Sequence, residues 1–168
     1  MNKEKHERAL GLYHVYKDKL YTVARRYLLD DDSAKDAVQE LFVKIFENPK
    51  RIPLEPETAP YLYKMAVNMC IDQQRKRKRI TTLKDLFFSK SKIEEQIQNR
   101  DEVDNLMKLL NDDMRFAVIL SDMLELPVSE ICFITGEQEG AVRTRLSRAR
   151  AIMRESVKKE EVCYAGNC

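Results

Sequence analysis

Proline and glycine are scarce in this chain and unevenly placed. Its 168 residues hold four Gly and five Pro, and four of those prolines fall between Asn48 and Pro60. Proline removes a backbone donor and clashes with the preceding turn, so it interrupts any helix it enters. The long stretches on either side of 48–60 are nearly free of helix breakers. None of them alternates apolar and polar residues as a half-buried strand does. The expected fold class is therefore all-α. The segment Asn48–Pro60 (NPKRIPLEPETAP) reads as a true loop that its prolines stiffen, and unstructured loops of this length are often functional.

The most informative helix is Ala141–Arg154, AVRTRLSRARAIMR. At about 100° per residue, Val142, Leu146, Ala149 and Met153 share one stripe, while Arg143, Thr144, Ser147, Arg148, Arg150 and Arg154 cover the other side. The apolar stripe can dock on a core while the far face offers hydroxyls and guanidinium forks, which suit phosphates and guanine edges. Within 141–154 no acidic residue stands at i±4, so this face is expected to keep its charge. Val128–Phe133 reads as a shorter helix opened by Pro127, and Gly136 fits the left-handed residue that ends a helix. Helix, tight turn and second helix with a polar outer face make a helix-turn-helix, which lays its second helix in the DNA major groove.

Upstream, residues 5–29 form a first helix or helix pair. Leu10, Tyr13, Val15, Tyr16, Leu20, Val23, Ala24 and Tyr27 are its apolar contacts. Asp30–Asp32 is expected to break it and Ser33 to cap the next helix, with Asp36 three residues on, close to a capping box. In Ser33–Glu47 the stripe Ala34, Ala37, Val38, Leu41 and Ile45 faces a core. Asp36, Gln39, Glu40 and Glu47 ring Val43 on the far face, the pattern of a partner-helix site. Tyr61–Arg79 (YLYKMAVNMCIDQQRKRKR) buries Leu62, Met65, Ala66 and Met69. A second stripe, Tyr61, Lys64, Asn68, Arg75 and Arg79, mixes a ring, an amide and cations. Bases stack on aromatics and cations follow phosphates, so this stripe suits single-stranded nucleic acid.

After residue 80 the composition turns polar, and 81–99 reads as a linker with a short helical turn at Leu83–Phe88. Arg100–Leu110 and Asp112–Leu124 then give two helices. Val103, Leu106, Met107, Leu110, Phe116, Ala117, Ile119, Leu120 and Met123 build a second core with the helix-turn-helix.

Several function classes drop out. The net charge is only +2, but the basic residues are clustered, and clustering governs nucleic-acid affinity. The apolar run Phe116–Leu120 is far short of a membrane span, and MNKEKHERAL has no signal-peptide core, so a cytoplasmic protein without membrane insertion is expected. No Gly-rich phosphate loop, nucleophile pair or metal-spaced cluster is present, so no enzyme activity, metal or cofactor is expected. Cys70 and Cys132 lie in helical patterns. Cys163 and Cys168 fit no zinc spacing and stand in a tail, 159–168, expected to fray.

Four stretches together carry a resemblance: DSAKDAVQELFVKIF at 32–46, YLYKMAVNMCIDQQRKRKR at 61–79, SEICFITG at 129–136 and AVRTRLSRAR at 141–150. In this order the chain resembles an extracytoplasmic-function sigma factor of the sigma-70 family. The resemblance implies two small helical domains, region 2 over 1–80 and region 4 over 100–158, joined by the linker. It implies core RNA polymerase (its β′ clamp helices and β flap), promoter DNA and an anti-sigma factor as partners. By position, Asp36, Gln39, Glu40 and Val43 would meet polymerase. Tyr61, Lys64, Asn68, Arg75 and Arg79 would engage and melt the −10 element. Arg143, Thr144, Ser147, Arg148 and Arg150 would bind the −35 element. The loop 48–60 would pocket a flipped base, with no single reading residue assigned, and the linker would thread the polymerase cleft. Four residues depart from the family's habit: Glu137 and Ala141 near the turn, Cys132 in its first helix, and Tyr61 where Trp is usual. The competing reading, a stand-alone helix-turn-helix regulator, accounts for 128–154 but leaves the acidic helix and the Tyr61–Arg79 stripe without a role.

Overall fold

The computed structural model describes residues 2–87 and 101–165, the side chains of 2, 5, 81–87 and 160–165 apart. The described chain is helical and divides into two compact units, 1–100 and 101–168. The first unit packs three helices, α1 (Asn2–Leu28), α2 (Asp31–Glu47) and α3 (Thr58–Phe87), each against the other two. Its core is drawn from helical spacing on each. Tyr16, Leu20, Val23, Ala24 and Tyr27 come from α1, Ala34, Ala37, Leu41, Phe42 and Ile45 from α2, and Leu62, Ala66, Val67 and Cys70 from α3. Leu20, Leu41, Ile45 and Leu62 are fully enclosed, and each such side chain contributes about 1.5–3 kcal/mol. The Tyr27 hydroxyl donates to Gln74 Oε1 at 2.6 Å and so pins α1 to α3.

The apolar set expected for α1 is too generous. Val15 is 63% exposed, and Leu10 and Tyr13 lie at the surface. Val38 and Met65, expected in the core, are half-buried. The start of α2 also differs. Asp30 is the cap, its carboxylate accepting from Ser33 N at 2.9 Å, and the helix begins at Asp31 rather than after Ser33. The turn before it is made by Leu29 at φ 56°, a strained conformation for leucine. Burial of its side chain offsets that strain.

The loop between α2 and α3 opens with a 3₁₀ turn, Pro49–Arg51, and contains a cis Glu55–Pro56 bond. Helix α3 then continues through the residues read as the start of the linker and ends at Phe87. The rest of that linker, from residue 88, lies outside the described residues.

In the second unit α4 (Glu102–Lys108) and α5 (Asp112–Val118) are followed by a π-helical turn, Ile119–Met123, in place of a continuous helix to Leu124. Arg115 is buried and donates to Met107 O at 2.9 Å and Leu110 O at 3.0 Å, tying the start of α5 to the chain that leaves α4. Helices α6 (Val128–Thr135) and α7 (Glu139–Ala165) complete the unit, with Gly136 at φ 76° between them. Ile131, Ile134, Val142, Leu146 and Ala149 close its core over Phe116–Leu120. The segment expected to fray is helical as far as Ala165, which includes Cys163; Cys168 lies outside the described residues.

Candidate nucleic-acid interface

On α7 the core stripe and the polar face separate as the periodicity predicts. Val142, Leu146 and Ala149 are buried and Met153, also expected in the stripe, is half-buried, while Arg143, Thr144, Ser147, Arg148 and Arg150 are exposed. The expectation that this face carries no acidic partner within its own helix needs correction. The helix starts two residues earlier than the sequence suggested, and Glu139, at i−4, accepts from Arg143 Nε at 2.8 Å. Arg145 is held by Glu137 across the turn and by Asp113 at 3.7 Å, and the Glu137 bond raises its pKa further. Glu137, unusual after the turn glycine, thus has a structural task.

Arg150 forks onto Asp122, with Nε to Oδ2 at 3.1 Å, and also donates to Ser121 at 3.1 Å. Burial opposes ionisation of Asp122, but the Arg150 and Ser121 hydrogen bonds and the Arg150 charge together outweigh it and hold that carboxyl below its ordinary range. Both acceptors lie in the π-helical turn, which sequence periodicity did not reveal. Arg148 makes no ion pair among the described residues and projects freely.

In the first unit the stripe on α3 is largely open. Asn68, Arg75 and Arg79 are exposed, and Tyr61 and Lys64 are half-buried. Asp72 interrupts the stripe and lies 3.9 Å from Arg75. Arg77, two residues from both Arg75 and Arg79 and so on the other side of the helix, reaches toward the α2 cap, 3.9 Å from Asp30. On α2, Asp36, Gln39, Glu40 and Val43 are all exposed at a spacing that puts them on one face, and Val43 is 50% exposed. Glu40 is paired with Lys44 at 3.1 Å.

Where α2 ends and α3 begins, Lys44, Glu47, Asn48, Arg51, Ile52, Tyr61 and Met65 line a cavity of about 320 Å³. That lies at the small end of ligand-sized clefts, about 300–1,000 Å³. A ring, a thioether, an amide and two cations around one hollow can hold a flat heteroaromatic group and bond its edge. Only Tyr61 of these was named from sequence for nucleic acid. Met65 was assigned to the core, and Arg51 stood in a loop without periodicity to orient it. A cation framed by Pro49 and Pro53 was the one available signal.

Burial pushes the Cys70 thiol up to about 12, so it stays protonated and inert. Among the described residues, no three His, Cys, Asp or Glu side chains gather as a metal site, and no helix is long and apolar enough to cross a membrane.

Comparison with known proteins places these surfaces in a family. The model of sigma-70 region 2 matches residues 12–80 and that of sigma-70 region 4 matches residues 100–153. RNA polymerase sigma factor SigV of Bacillus subtilis is 33% identical over 151 residues, covering 88% of this chain and 89% of that protein. The ECF RNA polymerase sigma factor SigW of the same organism is 27% identical over 160 residues, 86% of each chain. Among solved structures, the sigma factor RpoE from Bartonella quintana, in complex with the anti-sigma factor NepR, superposes with a TM-score of 0.71 at 25% identity, covering 89% of this chain and 95% of that one. CnrH, in complex with the cytosolic domain of CnrY, shares the fold with a TM-score of 0.66 at 17% identity, covering 94% and 97%. With both regions present in order and relatives of similar length, the chain belongs to the extracytoplasmic-function group of the sigma-70 family, the transcription initiation factors of RNA polymerase.

Proposed function

We propose that this chain binds core RNA polymerase and carries it to promoters by reading a −35 element with α7 and a −10 element with α3, whose strands it helps to part. The observation that carries the reading is the cavity at the α2–α3 junction, beside the open Tyr61–Asn68–Arg75 stripe. Extruding a base costs a few kcal/mol, and stacking on an aromatic returns about 1–3 kcal/mol. A hollow lined by Tyr61, Met65 and Arg51 next to a cationic track supplies both the stacking face and the phosphate contacts. On α7, Arg143, Thr144, Ser147 and Arg148 are the base-reading set. Arg150 would have to leave Asp122 to reach a phosphate, so its part is to brace the helix.

The face Asp36–Gln39–Glu40–Val43 is the polymerase contact, an apolar centre with an acidic rim suited to a basic helical partner. An anti-sigma factor belongs to the proposal through the similarity to RpoE, which is solved with one. Transcription in vitro with core polymerase on genomic fragments tests the whole. Discrete start sites that require both proteins are expected, and a stand-alone regulator would instead bind specific duplexes without polymerase. Asp36→Arg combined with Glu40→Arg is expected to weaken polymerase binding at least about tenfold, since repulsion replaces attraction at two exposed sites. Its helical content and melting temperature should stay as in the parent. Normal holoenzyme formation by that double variant would remove the acidic face from the proposal.

A further inference from the structure

Helix α1 reaches across to the loop that borders the cavity and grips it at three residues. Arg8 Nη2 donates to Ile52 O at 2.6 Å and to Pro53 O at 3.1 Å. The Tyr16 hydroxyl donates to Glu55 Oε1 at 2.8 Å. Thr58, at the start of α3, donates through Oγ1 to the same Pro53 O at 2.8 Å. Tyr16, Ile52 and Thr58 are buried, and Ile52 together with its neighbour Arg51 lines the cavity. Between Pro53 and Glu55, two of the three gripped residues, Leu54 is 72% exposed, the most exposed large apolar side chain among the described residues. The loop therefore holds a shape before any DNA arrives. Its closed backbone supports one wall of the cavity, and its tip displays a leucine.

We propose that Arg8 and Tyr16 are positioning residues for −10 recognition. They clamp the loop so that the cavity is preformed and Leu54, two residues along the chain from the cavity-lining Ile52, is presented as an apolar contact for an unstacked base. The proposal rests on the reading of the cavity as the seat of an unpaired base. Its physical basis is preorganisation: a loop ordered only on binding would spend part of each base's interaction energy on its own ordering. Carbonyl oxygens held by a guanidinium are strong anchors, because hydrogen bonds to a charged donor exceed neutral ones. Burial, reinforced by Glu55, pushes the Tyr16 hydroxyl up to about 12, so it remains a donor under ordinary conditions.

The test uses holoenzyme formed from the full chain and core polymerase. The probe is a duplex promoter selected by the wild-type protein, with its −10 element randomised. Arg8→Ala is expected to flatten base preference at one or more −10 positions by about tenfold, the equivalent of one lost charged hydrogen bond. It should also speed amide exchange over 52–57, while −35 preference and polymerase affinity stay unchanged. Arg8→Lys, which keeps the charge and one donor, should recover part of the preference, and Tyr16→Phe should act in the same direction more weakly. If Arg51→Ala flattens the −10 profile and Arg8→Ala does not, the clamp is overturned and the cavity reading survives. If neither changes the profile, the cavity reading itself is lost. Loss of −35 preference and polymerase affinity along with the −10 profile would show Arg8 to be merely structural and would overturn the proposal.

Discussion

Four arginines on α7 look alike in sequence and have different fates. Arg145 is tied to Glu137 and Asp113, Arg150 to Asp122 and Ser121, and Arg143 to Glu139. Arg148 keeps its fork open toward solvent. A bidentate contact to a base needs both donors of that fork, so Arg148 is the strongest candidate for direct reading. Arg148→Ala is expected to cost about 1–3 kcal/mol of promoter affinity and to relax one −35 position. Arg150→Ala should leave the −35 preference intact and lower the stability of the second unit instead. Competition among single-base promoter variants, with holoenzyme, checks both. Which side of α7 faces outward was legible in the sequence, because helical spacing alone decides it. Which cations are already paired was not, since Glu137, Asp113 and Asp122 approach from other elements. Glu139 is the exception: it stands at i−4 from Arg143 and was hidden only by placing the helix start two residues late.

At the scale of elements, the start of α2 shows what local sequence leaves undecided. Three consecutive aspartates precede Ser33, and any of them, or Ser33 itself, could cap. Packing of α1 decides it, because Tyr21 and Arg25 both reach Asp31, Tyr21 at 2.8 Å and Arg25 at 2.9 Å, leaving Asp30 to accept from Ser33 N. The Tyr21 bond first, then Lys35 and Arg25, lowers the Asp31 carboxyl to about 2 from its ordinary value of 3.8. The sign follows from that direction. Asp31 favours the folded state fully above about pH 4, and its contribution disappears as pH falls through 3.8 toward 2. Carboxyl-carbon NMR should place its midpoint near 2, and Tyr21→Phe should move that midpoint up toward the ordinary carboxylate range. Asp30→Ala should cost about 1 kcal/mol in urea unfolding, the usual loss for a helix cap. The same limit explains the π-helical turn at Ile119–Met123: its apolar residues fit a helix of either kind, and nothing local marks the extra residue in the turn. The loop 48–60, by contrast, was legible as a loop from its prolines, but its grip by Arg8 and Tyr16 spans some forty residues of sequence and left no periodic trace.

At the scale of the molecule, charge balance argues that this chain is a poor DNA binder by itself. Lysine and arginine number 30 against 28 aspartates and glutamates, and on both α3 and α7 some of the cations already have acidic neighbours. A cation held by an acidic neighbour displaces fewer counterions, and non-specific affinity scales with the number displaced. The two surfaces proposed to read DNA lie on separate units, so each alone would engage only one short element. Joining two weak contacts raises affinity by about 10²–10⁴, but only where their separation matches the spacing of the sites. In the proposed function it is polymerase that holds that separation. The isolated chain is accordingly expected to bind a short promoter duplex weakly and with little dependence on the distance between the −35 and −10 elements. With core polymerase present, affinity should rise at least about 10²-fold, and lengthening the spacer by about two base pairs, a fifth of a helical turn, should remove most of the gain. Fluorescence anisotropy on a spacer series, with and without polymerase, measures both. Tight, spacer-dependent binding by the chain alone would mean that its own linker sets the separation, and polymerase would then be a passenger rather than the ruler.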